Sequence, residues 1–409
     1  MNTTEKTILV ALDLGCYDVD SSLEELTELV NTAGGEVVGS LVQKREAPDR
    51  ATCIGSGKLE ELKELSAAME AELIVFDLEL TPSQLRNVEE AVDIRVIDRT
   101  MLILDIFAGR ANSAEGKLQV ELAQLRYSLP RLIGKGTELS RLGGGIGTRG
   151  PGESKLESDR RHINRRIAAL QAELSELTAR RGRLRERRKK DGVTTVAIVG
   201  YTNAGKSTLL NRLTSAGVLA EDKLFATLDP TSRALTLPDG RQVLLVDTVG
   251  LIRRLPHHLV EAFRSTLEEA ASASLILQLC DASSPELDEH IRVTNDLLDA
   301  LGAGLTPRLC VLNKSDKAVL HWDLPLPADT VEISALNGTG LEEMLRRVAE
   351  KLPPTRRFAR LLLPYSDGSL AARLRKEGAV QKESYTADGL YMELVADIAL
   401  LEEARLFEL

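Results

Sequence analysis

The apolar run Thr194 to Val199 opens without a spacer into Gly200-Tyr201-Thr202-Asn203-Ala204-Gly205-Lys206-Ser207, followed by Thr208, and fits the pattern G-x-x-x-x-G-K-[ST]. A strand that turns through glycines directly into a helix aims several backbone N–H groups, and the positive end of the helix dipole, at one point in space. An anion belongs at that point. In such an arrangement Lys206 reaches the outer phosphates of a nucleotide as a point charge, and the Ser207 hydroxyl is a ligand for Mg²⁺. The competing reading, a glycine turn with no ligand, has to survive three further motifs downstream.

The next strand candidate, Gln242 to Val246, delivers Asp247-Thr248-Val249-Gly250 at its carboxyl end, where ligands of open parallel sheets bind. Asp247 fits the carboxylate that holds Mg²⁺ through water. The Gly250 N–H is placed to contact a γ-phosphate, so this loop senses whether that phosphate is present. After a third apolar strand, Leu309 to Leu312, comes Asn313-Lys314-Ser315-Asp316, which reads the base. The Asp316 carboxylate is an acceptor that takes two hydrogen bonds from N1–H and N2–H₂ of guanine, whereas adenine offers neither at that edge. The stem of Lys314 is suited to lie against the base. A further strand, Thr330 to Ile333, leads to Ser334-Ala335-Leu336, whose N–H groups are within reach of the guanine O6. Between these motifs, Phe225-Ala226-Thr227-Leu228-Asp229-Pro230-Thr231-Ser232 is the expected first switch. Thr227 is chosen there as a second Mg²⁺ ligand, and Thr231 competes with it. No catalytic residue is assigned: Leu251 stands where many regulatory GTPases carry the glutamine that orients the attacking water. An alkyl side chain cannot do this, so hydrolysis by the chain alone is expected to be slow.

Composition narrows the setting. The 409 residues carry a net charge of −10, with 43% hydrophobic and 3% aromatic residues, and suggest several domains. No apolar run is long enough to span a bilayer, and Met1 to Lys6 does not read as a signal peptide. The expectation is a cytoplasmic protein, monomeric when free, with peripheral membrane association left open. Cys16, Cys53, Cys280 and Cys310 lack metal spacing and read as reduced packing residues.

Four strand candidates (Thr7 to Leu12, Glu36 to Val42, Leu73 to Phe76, Ile94 to Ile97) alternate with helices over the first 110 residues or so, implying a parallel α/β domain. Its Ile54-Gly55-Ser56-Gly57-Lys58 is read as a helix-entry turn in preference to a second nucleotide site. Leu118, Leu122, Leu125 and Leu129, and then Ile163, Ile167, Leu170, Leu174 and Leu177, carry a coiled-coil seam, so an antiparallel helical hairpin follows. Its connection, Gly143 to Gly152, holds six glycines. From Arg141 to Lys190 there are 15 Lys or Arg against 6 Asp or Glu, a net of +9, which leaves −19 for the rest of the chain. A basic arm on an acidic body suits the phosphate backbone of a nucleic acid, and its near lack of aromatics argues against stacking on unpaired bases. The expected architecture is multidomain α/β: 1–112 an N-terminal parallel α/β domain, 113–191 the helical hairpin, 192–353 a central P-loop GTPase domain and 354–409 a small α+β C-terminal domain.

The hinge Gly144-Gly145-Ile146-Gly147-Thr148-Arg149-Gly150-Pro151-Gly152-Glu153-Ser154-Lys155-Leu156-Glu157, with Asp159-Arg160-Arg161 and the motifs above, resembles the HflX family of translational GTPases over essentially the whole chain. The resemblance implies GTP as substrate and Mg²⁺ as cofactor, held by Ser207, Thr227 and Asp247, in a group where a hydrophobic residue replaces the catalytic glutamine. It implies binding to the large ribosomal subunit and its RNA, not to DNA, with Gly143, Gly144, Gly145 and Arg149 at the loop and Arg180, Arg181, Arg185, Arg187 and Arg188 along the arm as contacts. It further implies ribosome-stimulated hydrolysis and GTP-dependent separation of stalled or idle ribosomes into subunits under stress. The alternatives are a GTP-dependent ribosome assembly or RNA modification factor, and a membrane-linked switch, against which the basic arm counts. Ser154 stands where the family pattern suggests Thr.

Overall fold

Short, wholly apolar strands such as Leu73 to Phe76 have no polar face to give to water, so they pack with helices on both sides of a sheet. The computed structural model of the protein describes residues 4–134, 151–190, 192–214, 224–225, 231–254, 270–317, 326–354 and 356–409. β1 (Lys6–Asp13), β2 (Glu36–Lys44), β3 (Leu73–Phe76) and β4 (Arg95–Asp98) form a parallel sheet in the order β2-β1-β3-β4. Residues of α1 (Val19–Ala33) and α4 (Arg99–Arg110) share one core with Leu9 and Val75. On the opposite face α2 (Ser56–Ala68) and α3 (Pro82–Val92) enclose Ile8, Val10, Ile74 and Phe76. Gly55 is the N-cap residue of α2, as a helix-entry turn requires.

The arm begins with α5 (Ala114–Ser128), continues through a 3₁₀ turn, Leu129–Gly134, and returns as α6 (Pro151–Lys190), 40 residues of helix. At 1.5 Å per residue α6 is about 60 Å long. Ile163, Ile167, Leu170, Leu174 and Leu177 are its protected line, and Leu170 is fully buried. Arg166 meets both carboxylate oxygens of Glu121 at 2.7 Å, and Arg181 meets Glu115 at 2.9 Å. Earlier residues of α5 therefore face later residues of α6, so the helices run antiparallel.

Six strands form the central sheet in the order β10-β9-β8-β5-β7-β6: β5 (Thr194–Gly200), β6 (Thr231–Thr236), β7 (Gln242–Asp247), β8 (Leu275–Asp281), β9 (Arg308–Asn313) and β10 (Val331–Glu332). All pair in parallel except β6, which runs against β7. The helices α7 (Lys206–Thr214), α8 (Leu287–Ala300) and α9 (Leu341–Lys351) accompany it. β6 and β8 go beyond the strands read from sequence. The six residues TSRALT of β6 form an edge strand with little burial and carry a weak pattern, whereas the apolar LILQLC of β8 was there to be read.

The last segment pairs β11 (Arg356–Leu363), β12 (Ala379–Thr386) and β13 (Gly389–Asp397) as an antiparallel sheet in the order β11-β13-β12. α10 (Gly368–Glu377) and α11 (Ile398–Glu403) close its apolar face through Leu374, Leu400 and Leu401. Among the described residues no helix is long and apolar enough to cross a membrane.

The first core does not stop at the N-terminal sheet. Tyr201, Phe225, Val249 and Ile252 from the central region join Leu26, Leu29, Phe107 and Tyr127 in it. The Phe225 ring meets Phe107 edge-on, with centroids 4.6 Å apart.

Candidate functional site

β5 ends at Gly200 and α7 begins at Lys206, so the intervening loop is pinned between a central strand and a helix start. Gly205 has φ +91°, and a Cβ there would collide with Nδ2 of Asn313, so both the backbone conformation and the space require glycine. Lys206 is 7% exposed. Its Nζ donates to the Gly200 carbonyl at 3.1 Å and the Tyr201 carbonyl at 2.8 Å. Burial pushes its pKa down to about 8, although the charge of Asp247 pulls the other way. A partly desolvated ammonium is a strong receptor for phosphate.

Ser207 donates through Oγ to Oδ2 of Asp247 at 3.1 Å, and Asp247 is 0% exposed. A hydroxyl and a carboxylate oxygen side by side, next to a buried lysine, are hard donors of the kind Mg²⁺ takes, with phosphate oxygens and water able to fill the remaining positions. The residues present therefore fit the ion. Thr248 is buried and donates to the Ile198 carbonyl at 2.7 Å, fixing the strand end. At Gly250 a Cβ would lie 2.9 Å from Cγ2 of Thr202 and 3.1 Å from Nζ of Lys206, so this glycine lets the Asp247 loop close on the phosphate loop.

Leu251 is 2% exposed and packs with Val199, Ala270 and Ile276. Its backbone bridges the loop: Thr202 N–H donates to the Leu251 carbonyl at 2.7 Å and Leu251 N–H to the Gly200 carbonyl at 3.1 Å. The side chain fills the core and has no means of orienting water.

The base motif is tied to the phosphate loop by one residue. Asn313 accepts through Oδ1 from the Ala335 N–H at 2.9 Å and donates through Nδ2 to the Ala204 carbonyl at 2.8 Å. Ser334 donates to Asp316, and Leu336 is 72% exposed at the rim. Phe225 contributes its ring to the core shared with the N-terminal sheet, so its side chain does not line this site. Thr231 opens β6 directly opposite Asp247. Ala226, Thr227, Leu228 and Asp229 of the first switch lie outside the described residues, as do Gly143, Gly144, Gly145 and Arg149 of the arm loop.

A charged cluster joining the loop to the N-terminal sheet was not read from the sequence. Arg99 holds Asp77 at 3.0 Å and also pairs with Glu25. The Tyr201 hydroxyl, from within the phosphate loop, donates to Glu25 and accepts from the Arg253 N–H at 2.8 Å. Arg253 binds both oxygens of Glu286 at 2.9 Å, and Arg254 reaches Asp77 at 2.8 Å. Burial and the neighbouring Glu25 carboxylate raise the Tyr201 pKa well above the usual range, so the ring stays a phenol that donates. His290 stacks on Tyr201 at 3.8 Å. Two pairs that join the phosphate-loop region to the N-terminal sheet, Tyr201 with Glu25 and Arg254 with Asp77, stand 176 and 177 residues apart in sequence, and no local pattern announces such a cluster.

On the arm, Arg180, Arg183 and Arg187 are exposed, with no ion-pair partner among the described residues. Arg181 is committed to Glu115, while Arg185 and Arg188 are partly buried and engaged within the chain.

Known proteins extend the reading. Three family models match in order: "GTP-binding GTPase N-terminal" over residues 20–108, "GTP-binding GTPase Middle Region" over 110–188 and "50S ribosome-binding GTPase" over 195–314. The GTPase HflX of Caldanaerobacter subterraneus subsp. tengcongensis is 50% identical over 406 residues, spanning 98% of this chain and 94% of that protein. The GTPase HflX of Escherichia coli is 43% identical over 381 residues, 91% of this chain and 89% of that protein. A solved GTP-binding protein of Sulfolobus solfataricus in complex with GDP is 27% identical with a TM-score of 0.45, covering 85% of this chain and 98% of that one. With a phosphate loop, a base motif and full-length relatives in agreement, the protein binds and hydrolyses GTP, and the chain belongs to the HflX family of GTPases.

Proposed function

We propose that the protein acts in the cytoplasm on the large ribosomal subunit and, in its GTP state, separates stalled or idle ribosomes into subunits under stress. The observation that carries this reading is the arm: three exposed arginines without ion-pair partners among the described residues, on a helix that leads into the GTPase region. The description of the family model over 195–314, a 50S ribosome-binding GTPase, names the same subunit.

In this reading Lys206 binds the β- and γ-phosphates and the N–H groups of Gly200 to Thr208 cradle them. Ser207 and Asp247, joined by Thr227 of the first switch, hold Mg²⁺, which supplies charge neutralisation at the phosphates. Gly250 reports the γ-phosphate. Asp316 takes the guanine N1–H and N2–H₂, Lys314 backs the ring, and the N–H groups of Ser334, Ala335 and Leu336 face O6. Because Leu251 is turned into the core, water is oriented only when the ribosome orders the switches, so hydrolysis is slow until the large subunit is bound. Co-sedimentation through sucrose gradients tests this: with GTP or a non-hydrolysable analogue the protein should travel with large subunits and deplete 70S particles. Association with precursor particles alone would point instead to an assembly factor.

A further inference from the structure

β8 and β9 are adjacent parallel strands whose last residues, Asp281 and Asn313, are register partners. Directly after Asn313 the chain takes φ +65° at Lys314, and a hydrogen bond from the Lys317 N–H to the Lys314 carbonyl at 2.9 Å encloses Ser315 and Asp316 in one turn. The Lys314 side chain pairs with the end of the neighbouring strand, its Nζ 2.8 Å from Oδ2 of Asp281. The two side chains are only 17% and 18% exposed. The second oxygen of Asp281 is occupied too, accepting from the Ser283 N–H at 2.9 Å and the Ser283 hydroxyl at 2.6 Å. Burial works against ionisation of Asp281, yet the bonds from Lys314 and Ser283 outweigh it and hold the carboxyl below the usual carboxylate range.

Lys314 is thus paired with Asp281 across the strand pair, while a second carboxylate, Asp316, follows two residues on in the same turn. An ammonium released from Asp281 would be free to turn toward Asp316, a carboxylate two residues away in the same turn, and there it would compete with the two guanine donors. We propose that Asp281 is a positioning residue for base recognition: it captures the Lys314 ammonium, lays the aliphatic stem along the base and keeps Asp316 open to guanine. The inference rests on the reading of Asp316 as the residue that contacts the base. It gives the ion pair a role in specificity, which an ordinary half-exposed pair would not have.

The test is a cycle of GDP affinities on the full-length protein. Asp281→Asn should weaken GDP about tenfold, the scale on which one charged hydrogen bond is lost. Adding Lys314→Met, which keeps an unbranched stem and removes the charge, should recover most of that loss. Ser283→Ala, a milder change, should weaken GDP less and be offset by Lys314→Met in the same way, and it decides the matter if Asp281→Asn does not fold. Loss without recovery in the double variants would make Asp281 merely structural and overturn the proposal, as would unchanged affinity in the single ones. Asp316→Asn is the separate control. If it fails to move preference from guanine to xanthine nucleotides, the base-site reading falls; if it moves preference while Asp281→Asn binds GDP like the parent, the Asp281 proposal alone falls.

Discussion

Two groups of arginines face opposite circumstances. Arg99, Arg253 and Arg254 sit between the N-terminal sheet and the nucleotide loop, where Glu25, Asp77 and Glu286 answer them. Arg180, Arg183 and Arg187, three and four residues apart, lie on successive turns of one face of α6 with nothing among the described residues to answer them. A buried guanidinium must be compensated from within the fold. An exposed row of them is available for an outside polyanion. The sequence offers arginine in both places, and only burial and partners tell internal fastening from external recognition.

The comparison breaks most sharply at Asp77, whose side chain is 0% exposed and contacts both Arg99 and Arg254. Asp77→Ala strands buried charge and should destabilise the protein by about 3–5 kcal/mol, read by urea or thermal unfolding. A cost near that of an exposed pair would mean the cluster is solvated. Next in size is Asp316→Asn, which should weaken GTP by about 2 kcal/mol or more and favour xanthosine triphosphate. Unchanged preference would remove Asp316 from the base site.

Acid gives a smaller effect. Burial lowers the His290 pKa and Arg253 lowers it further, while Glu286, Glu25 and Asp281 oppose this. With its folded value below that of the unfolded chain, the folded state binds fewer protons. Stability should therefore fall as pH drops through the window below about 6.5, by no more than about 1.4 kcal/mol per pH unit from this residue. His290→Phe should flatten that part of the profile, and an unchanged slope would show that His290 titrates normally. Smallest in stability is the arm: Arg180, Arg183 and Arg187 replaced by Ala should change unfolding by less than about 0.5 kcal/mol. The same variant should lower the salt dependence of ribosome binding by up to about one log–log unit per lost phosphate contact. An unaltered slope would mean these arginines touch no phosphate.

Much of this was legible from the chain. Strands such as Leu73 to Phe76 and Gln242 to Asp247 announce themselves by unbroken apolar runs, and the nucleotide motifs are contiguous because one strand–turn–helix unit holds each set of N–H groups. The seam on α6 was legible through its 3.5-residue spacing, and so was its counterpart on α5, although Leu129, the last residue of that counterpart, lies in a 3₁₀ turn. Asp281, Glu25 and Asp77 were not legible. Their meaning arises from partners across a strand pair or a domain boundary, and an isolated carboxylate in sequence looks the same whether it ends at solvent or under an arginine.

Ribosome splitting is most directly measured by mixing 70S particles with the protein and following the subunits on sucrose gradients, with the parent chain beside one shortened between Gly143 and Gly152. The parent should convert 70S particles to subunits with GTP and not with GDP. The shortened chain should keep GTP affinity within about a factor of two, since distant sites act independently, and should split nothing. Equal splitting by both chains, or splitting indifferent to the nucleotide, would contradict a GTP-driven arm.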